Sequence, residues 1–157
     1  MSEGFRQHSY QPPEGATEVI LVRHGESRAA SKENPFPLVD GHGDPELHPN
    51  GEQQAIAVGE RLKHETIDAI YVTSLQRTVQ TAAPLAAHLG MSTRVEADLR
   101  EVCLGEWEGG ILRMKAAAGD PIFLQMQAEE RWDAIPGAES WETLNTRITA
   151  ALTRIHR

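Results

Sequence analysis

Cysteine is nearly absent from this 157-residue chain: Cys103 stands alone, so an internal disulfide framework is excluded. Flanked by Val102 and Leu104, Cys103 reads as a small buried hydrophobe rather than a catalytic thiol. Long apolar runs are missing too, and none approaches the roughly 20 residues that cross a bilayer. Residues 1–16, with Pro12, Pro13 and Gly15, lack the apolar core of a signal peptide and read as a flexible lead-in. A cytoplasmic setting is the resulting expectation. Positive charge is scarce: 15 Lys and Arg stand against 23 Asp and Glu, a net charge of −8. That balance argues against nucleic acid or an anionic membrane as partner. It would also repel an anionic small substrate, so any phosphate chemistry needs its own local cations. Repeats and low-complexity tracts are absent, and 39% hydrophobic with 24% charged residues is ordinary for one globular domain.

The domain itself is expected over residues 17–157. Residues 18–22 (Glu-Val-Ile-Leu-Val) form a continuous apolar run that suits a buried strand of a parallel sheet. Residues 28–49 carry Pro35, Pro37, Gly41, Gly43, Pro45 and Pro49, and read as one long loop of functional kind. Ala55, Val58, Gly59 and Leu62 recur at helical spacing, with Asn50 as N-cap. A second strand is expected at 69–73, a helix at 75–89 ended by Gly90, and a weaker strand at 92–97. Beyond Gly109-Gly110 the chain reads as helical, with breaks near 119–121 and 135–137. The last helix starts near Ser140 and places Leu144, Ile148, Leu152 and Ile155 on one face. This order predicts an α/β fold: a three-layer, mostly parallel sheet with helices on both faces. Right-handed crossovers would bring the strand ends, Arg23-His24 among them, to the edge where such folds bind ligands.

Four segments carry the chemistry. They are Arg23-His24-Gly25-Glu26-Ser27, the Ser74-Leu75-Gln76-Arg77-Thr78-Val79-Gln80-Thr81-Ala82 stretch, the run from Leu99 to Gly109 (Leu-Arg-Glu-Val-Cys-Leu-Gly-Glu-Trp-Glu-Gly), and Pro136-Gly137-Ala138-Glu139-Ser140. Arg-His-Gly alone is a weak signal; in this order, after strands, the set is specific. Over residues 18–157 the chain resembles the histidine phosphatase superfamily, the phosphoglycerate mutase-like proteins, and its phosphatase branch in particular. The resemblance implies that His24 attacks phosphorus and becomes phosphorylated, that Arg23 and Arg77 clamp the phosphate, and that Glu101 protonates the leaving oxygen. Ser27 is a further candidate donor to phosphate. The physical chemistry agrees. A neutral imidazole with one free nitrogen is a nucleophile, a guanidinium fork fits two phosphate oxygens, and a general acid works best partly buried, with a raised pKa.

Plainer readings stand beside these. Glu106 and Glu108 are expected on solvated faces, and Trp107 as packing beneath the site. His42, Asp44 and His48 show no firm ligand spacing, so no metal and no cofactor is expected; His42 is a candidate substrate contact. His8, His64 and His88 carry no signal. The sequence departs from the family at two points. Where members often have an asparagine seven positions after the motif arginine, this chain has Ala30. The family's second catalytic histidine, in a His-Gly pair after one more strand, has no match before Arg157, and His156 on a helix is not taken for it. Either the protein is longer or it is a natural truncation with a binding role. The sequence therefore supports a metal-independent phosphomonoester hydrolase acting on a small phosphorylated substrate, with a mutase-type phosphotransferase or a non-catalytic phosphate-binding protein as alternatives. Substrate identity and oligomeric state are not encoded in any motif.

Overall fold

The computed structural model describes residues 12–156. Of the expected lead-in over 1–16, residues 1–11 therefore lie outside the described part. The rest is a mixed α/β chain with five α-helices and two small sheets.

β3 (Ile70–Val72) and β4 (Thr93–Val95) pair in parallel, with Ile70 opposite Thr93 and Val72 opposite Val95. The crossover between them is α2 (Gln76–Leu89). Its inner residues Leu85 and Ala86 bury against Ile70, while Leu62, Ile67, Ala82, Leu89 and Met91 close the cluster. α2 stops at Gly90, which is left-handed at φ 63°, and the Met91 amide returns to the Ala86 carbonyl at 2.9 Å.

α1 (Pro49–Leu62) packs on α2 and buries the small residues Gly51, Ala55 and Gly59, of which Gly59 faces α2. A Cβ on Gly59 would come within 3.0 Å of Pro84 Cβ, so glycine sets how closely the two helices approach. The cap of α1 is His48 and not Asn50: the His48 imidazole accepts the Asn50 amide, and Pro49 takes the first helical position. Proline there pre-sets φ and lacks only an amide that no helical partner would have met.

Two expectations are corrected, the strand at 18–22 and the unbroken loop at 28–49. Residues 18–22 run without secondary structure; Val19 is 56% and Leu21 87% exposed. An all-apolar run is buried in a sheet only when strands flank it and helices cover both faces, and no described residue pairs with this one. The described residues hold two two-stranded sheets, of which β3–β4 is parallel. The other lies inside the expected loop: β1 (Leu38–Val39) and β2 (His42–Gly43) form an antiparallel hairpin. Its turn is Asp40-Gly41, both at positive φ (49° and 80°), the Asp-Gly pair that suits a right-twisted hairpin.

After short 3₁₀ turns at Ala97–Leu99 and Gly105–Trp107 come α3 (Ile111–Ala118), α4 (Pro121–Glu129) and α5 (Trp141–His156). Trp107 is buried, as expected of a packing residue. α5 buries Ala151, and Leu152 is 45% exposed, so its inner face is rotated from the expected one and runs through Leu144, Ile148, Ala151 and Ile155. No described helix is long and apolar enough to cross a membrane.

Candidate active site

His24 is half-buried, two residues past the 18–22 run. Its Nδ1 lies 2.8 Å from the Gly25 carbonyl oxygen. A carbonyl only accepts, so Nδ1 carries the proton and Nε2 keeps its lone pair. Burial lowers the His24 pKa below the ordinary 6.5, Arg77 and Arg23 push it the same way, and the bond to Gly25 and the charge of Glu101 oppose them. The imidazole is therefore held neutral at neutral pH.

Gly25 donates its amide to Thr81 Oγ1 at 3.0 Å, and Thr81 donates in turn to the Arg77 carbonyl at 2.7 Å. Arg77 and Thr81 stand four residues apart on one face of α2, so the second motif braces the first. On the other side the loop meets the start of α1. A Cβ on Gly25 would lie 2.5 Å from the Gly51 carbonyl oxygen, and one on Gly51 would overlap the Glu26 carbonyl. Only glycine at both positions allows this approach. The Glu26 amide donates to Gln54 Oε1 at 2.8 Å, and the Glu26 carbonyl accepts the His48 amide at 2.8 Å.

Arg77 is buried, with Nη1 donating to the Gly43 carbonyl at 2.7 Å. Burial lowers its pKa from the ordinary arginine value, against the charges of Asp44, Glu101 and Glu108, but it remains a cation. Arg23 is exposed and lines the same cavity of about 240 Å³, together with His24, Ser27, Arg77 and Glu101. All five residues expected at the site thus border one space. Glu101 departs from expectation in one respect: it is exposed, its Oε1 accepting its own neighbour's amide, Val102 N, at 3.1 Å. Its main-chain carbonyl is held from outside the loop by Arg147 Nη2 at 3.0 Å. Ser27 is buried, and its Oγ accepts from Arg113 Nη2 at 2.7 Å.

Glu108 is a second correction. Instead of facing solvent, it accepts the Gly43 amide at 2.7 Å and the Leu104 amide at 2.8 Å. It pins the hairpin to the Gly105–Trp107 turn and so aims the Gly43 carbonyl at Arg77. A glutamate between a buried tryptophan and glycine was the available signal. Cys103 is only partly buried, its Sγ 3.7 Å from the Gly41 carbonyl. Asp44 accepts the Gln76 amide at 2.7 Å at the start of α2, and His48 caps α1. Among the described residues no group of three His, Cys, Asp or Glu side chains could hold a metal ion. His42 also borders the cavity; its Nδ1 lies 3.1 Å from the Asp40 carbonyl, and its buried Nε2 has no protein partner. His156 pairs with Thr17 at an exposed end of α5 and does not line the cavity.

Behind Glu101 lies an ion pair. Arg147 Nε and Nη2 meet the two oxygens of Glu139 at 2.7 and 2.8 Å, with Glu139 8% and Arg147 17% exposed. Arg147 also donates to the carbonyls of Asp98, Arg100 and Glu101. Replacing Arg147 with alanine strands the Glu139 carboxylate and three carbonyls. We expect Arg147→Ala to lose about 3 kcal/mol of unfolding free energy in urea. A loss under about 1 kcal/mol would show that the pair is incidental to the fold.

Comparison with known proteins places the chain in a family. The model of the histidine phosphatase superfamily (branch 1) matches residues 19–157. Phosphoglycerate mutase-like protein 4 of Arabidopsis thaliana is 37% identical over 142 residues, covering 88% of this chain and 60% of that protein. Probable phosphoglycerate mutase GpmB of Salmonella choleraesuis is 33% identical over 135 residues, 86% of this chain and 61% of its own. The solved structure of a mycobacterial glucosyl-3-phosphoglycerate phosphatase superimposes with a TM-score of 0.65 at 27% identity, covering 84% of this chain and 60% of that one. The chain thus spans about 60% of the length of these relatives. With the motif residues gathered at one cavity and the family model matched over nearly all its length, the chain belongs to the histidine phosphatase superfamily, branch 1.

Proposed function

We propose that this protein hydrolyses phosphomonoesters without a metal, through a phosphohistidine on His24. The observation that carries the proposal is the His24 tautomer: with the Nδ1 proton given to the Gly25 carbonyl, Nε2 is the free nucleophile, in a cavity bordered by Arg23 and Arg77. In the first step Nε2 bonds to phosphorus, the ester P–O bond breaks, and Glu101 gives its proton to the departing oxygen. In the second, Glu101 takes a proton from water, whose oxygen bonds to phosphorus as the P–N bond breaks and inorganic phosphate leaves. Arg23 and Arg77 balance the charge spread over the phosphoryl oxygens, with Ser27 as a further donor. The exposure of Glu101 suits a group that must serve both a leaving alcohol and an incoming water. A small phosphorylated substrate and a cytoplasmic setting belong to this reading. So does a wider parallel sheet with helices on both faces.

A mutase-type phosphotransfer is the second reading, favoured by the names of the two curated relatives. Phosphate release from phosphoglycerate, measured with and without bisphosphoglycerate, separates the two. Release should exceed isomerisation in both conditions. Isomerisation that outpaces release would make the protein a mutase, and phosphate binding with neither activity would make it a binding module. Run across pH, the same assay has a definite sign. The nucleophile is active when deprotonated, so kcat/KM should rise with pH through a midpoint below 6.5 and be full at neutral pH as far as His24 controls it. A midpoint above 6.5 in an NMR titration of the His24 ring would contradict the burial argument.

A further inference from the structure

Most arginines of the described residues answer a carboxylate. Arg28, Arg61, Arg100, Arg131, Arg147 and Arg154 each lie within ion-pair distance of an Asp or Glu, whereas Arg23, Arg77, Arg94 and Arg113 do not. Arg94 lies over the Tyr71 ring, 5.7 Å from its centroid. The other three all border the cavity at His24. Glu101 and Glu108 border that cavity too, but none of the three guanidiniums has a carboxylate within ion-pair distance, and in a chain of net charge −8 such a gathering suits an anion. Arg23 and Arg77 are already assigned to phosphate; Arg113 is not.

Arg113 stands in the first turn of α3, directly after Gly109-Gly110. A Cβ on Gly110 would come 2.7 Å from Ala30 Cβ and 3.2 Å from the Phe36 ring, so α3 begins pressed against Ala30. The alanine at position 30 has no side-chain donor to offer. From its place beside Ala30, Arg113 reaches inward. Nη1 donates to the Arg28 carbonyl at 2.8 Å and Nη2 to Ser27 Oγ at 2.7 Å, while the Phe36 ring supports the guanidinium at 5.1 Å. These two bonds use two of the five N–H donors of a guanidinium and leave the others free. Because Ser27 Oγ accepts from Arg113, the serine's own proton is free to be donated elsewhere. Arg113 and Ser27 also border the second, larger cavity of about 850 Å³, which shares Arg23 and His24 with the first. Both residues therefore sit where the two spaces meet, at the nucleophile.

We infer that Arg113 contacts the transferring phosphoryl group, supplying from α3 the donor that Ala30 lacks and turning the Ser27 hydroxyl toward the same oxygens. The inference rests on the phosphoryl chemistry proposed for His24, and its test does not need turnover. Inorganic phosphate binding to the full-length protein, followed by calorimetry, should weaken about 10- to 100-fold in Arg113→Ala. It should weaken less in Arg113→Lys, which keeps the charge but not the fork. Ser27→Ala added to Arg113→Ala should cost less than Ser27→Ala alone, because the two act as a unit. With p-nitrophenyl phosphate, which bears no second anionic group, kcat/KM should fall in parallel. Phosphate binding within twofold of wild type in Arg113→Ala would overturn the inference. So would a loss confined to substrates with a second anionic group, which would assign Arg113 to the remainder of the substrate. Should Arg113→Ala fail to fold, the same readouts on Arg113→Lys decide. A protein that binds phosphate more weakly without Arg113 but never turns over would sink the hydrolase reading and leave this contact standing.

Discussion

A His24→Ala protein should keep its fold, bind inorganic phosphate, and release phosphate from a monoester about 10⁴-fold or more slowly than the wild-type chain. The fold should survive because, among the described residues, the only hydrogen bond of the His24 side chain is the short-range one to the Gly25 carbonyl. Binding should survive because Arg23, Arg77 and Ser27 stay in place. The covalent intermediate of the proposed reaction would be lost, so reactions with labelled substrate stopped in alkaline detergent, which spares the acid-labile P–N bond, should show phosphoryl-protein in the wild-type chain and none in His24→Ala. His24→Asn sharpens the comparison. Its side-chain amide can still donate to the Gly25 carbonyl but has no nucleophilic nitrogen, so it should be as inactive as alanine. If turnover persists in either variant within about tenfold of wild type, the nucleophile lies elsewhere and the proposed chemistry falls.

Arg77→Ala carries the second-largest expected effect, a fall of about 10²- to 10³-fold in kcat, as for other preorganised donors removed from a water-poor site. The magnitude follows from its burial and its surroundings. Arg77 is 7% exposed, and its charge offsets those of Asp44, Glu101 and Glu108. Without it the cavity keeps Arg23 at an exposed rim but faces phosphate with three carboxylates nearby. Inhibition by inorganic phosphate should weaken along with kcat. Arg77→Lys should recover only part of the rate, since an ammonium cannot bridge two phosphoryl oxygens and also hold the Gly43 carbonyl. Steady-state kinetics on both variants check this; a kcat within tenfold of wild type in Arg77→Ala would remove Arg77 from the phosphate clamp.

The site was legible in the sequence where chemistry is written in local order. Arg-His-Gly, Arg77 on the first turn of a helix, and Glu101 after a strand name their residues directly, and the structure brings them to one cavity. The crossover helix and its end at Gly90 were equally plain, because glycine at a helix end and apolar spacing act within a few residues. What failed to show depends on partners distant in sequence. Residues 18–22 have the composition of a buried strand, but burial is decided by what pairs with them. Glu108 looks like any exposed glutamate until the hairpin, 65 residues away, presents the Gly43 amide to it. His48 displaced Asn50 as cap because Pro49 fixes where the helix begins, a local signal that competed with the stronger residue preference for asparagine. The α5 face rotated because Ala151, too small to draw attention beside Leu152, is the residue that fits fully inside.

Thr81 has a consequence for how the molecule opens. Its hydroxyl joins the Gly25 amide to the Arg77 carbonyl, so the loop bearing His24 is fastened by hydrogen bonds to α2. Local unfolding of the 18–22 run, with its apolar residues already half in water, can proceed without separating His24 from Arg77. The candidate site is thus one block of α2, the start of α1 and the loop that bears His24, and fluctuations of the chain ahead of residue 23 need not reach His24 and Arg77.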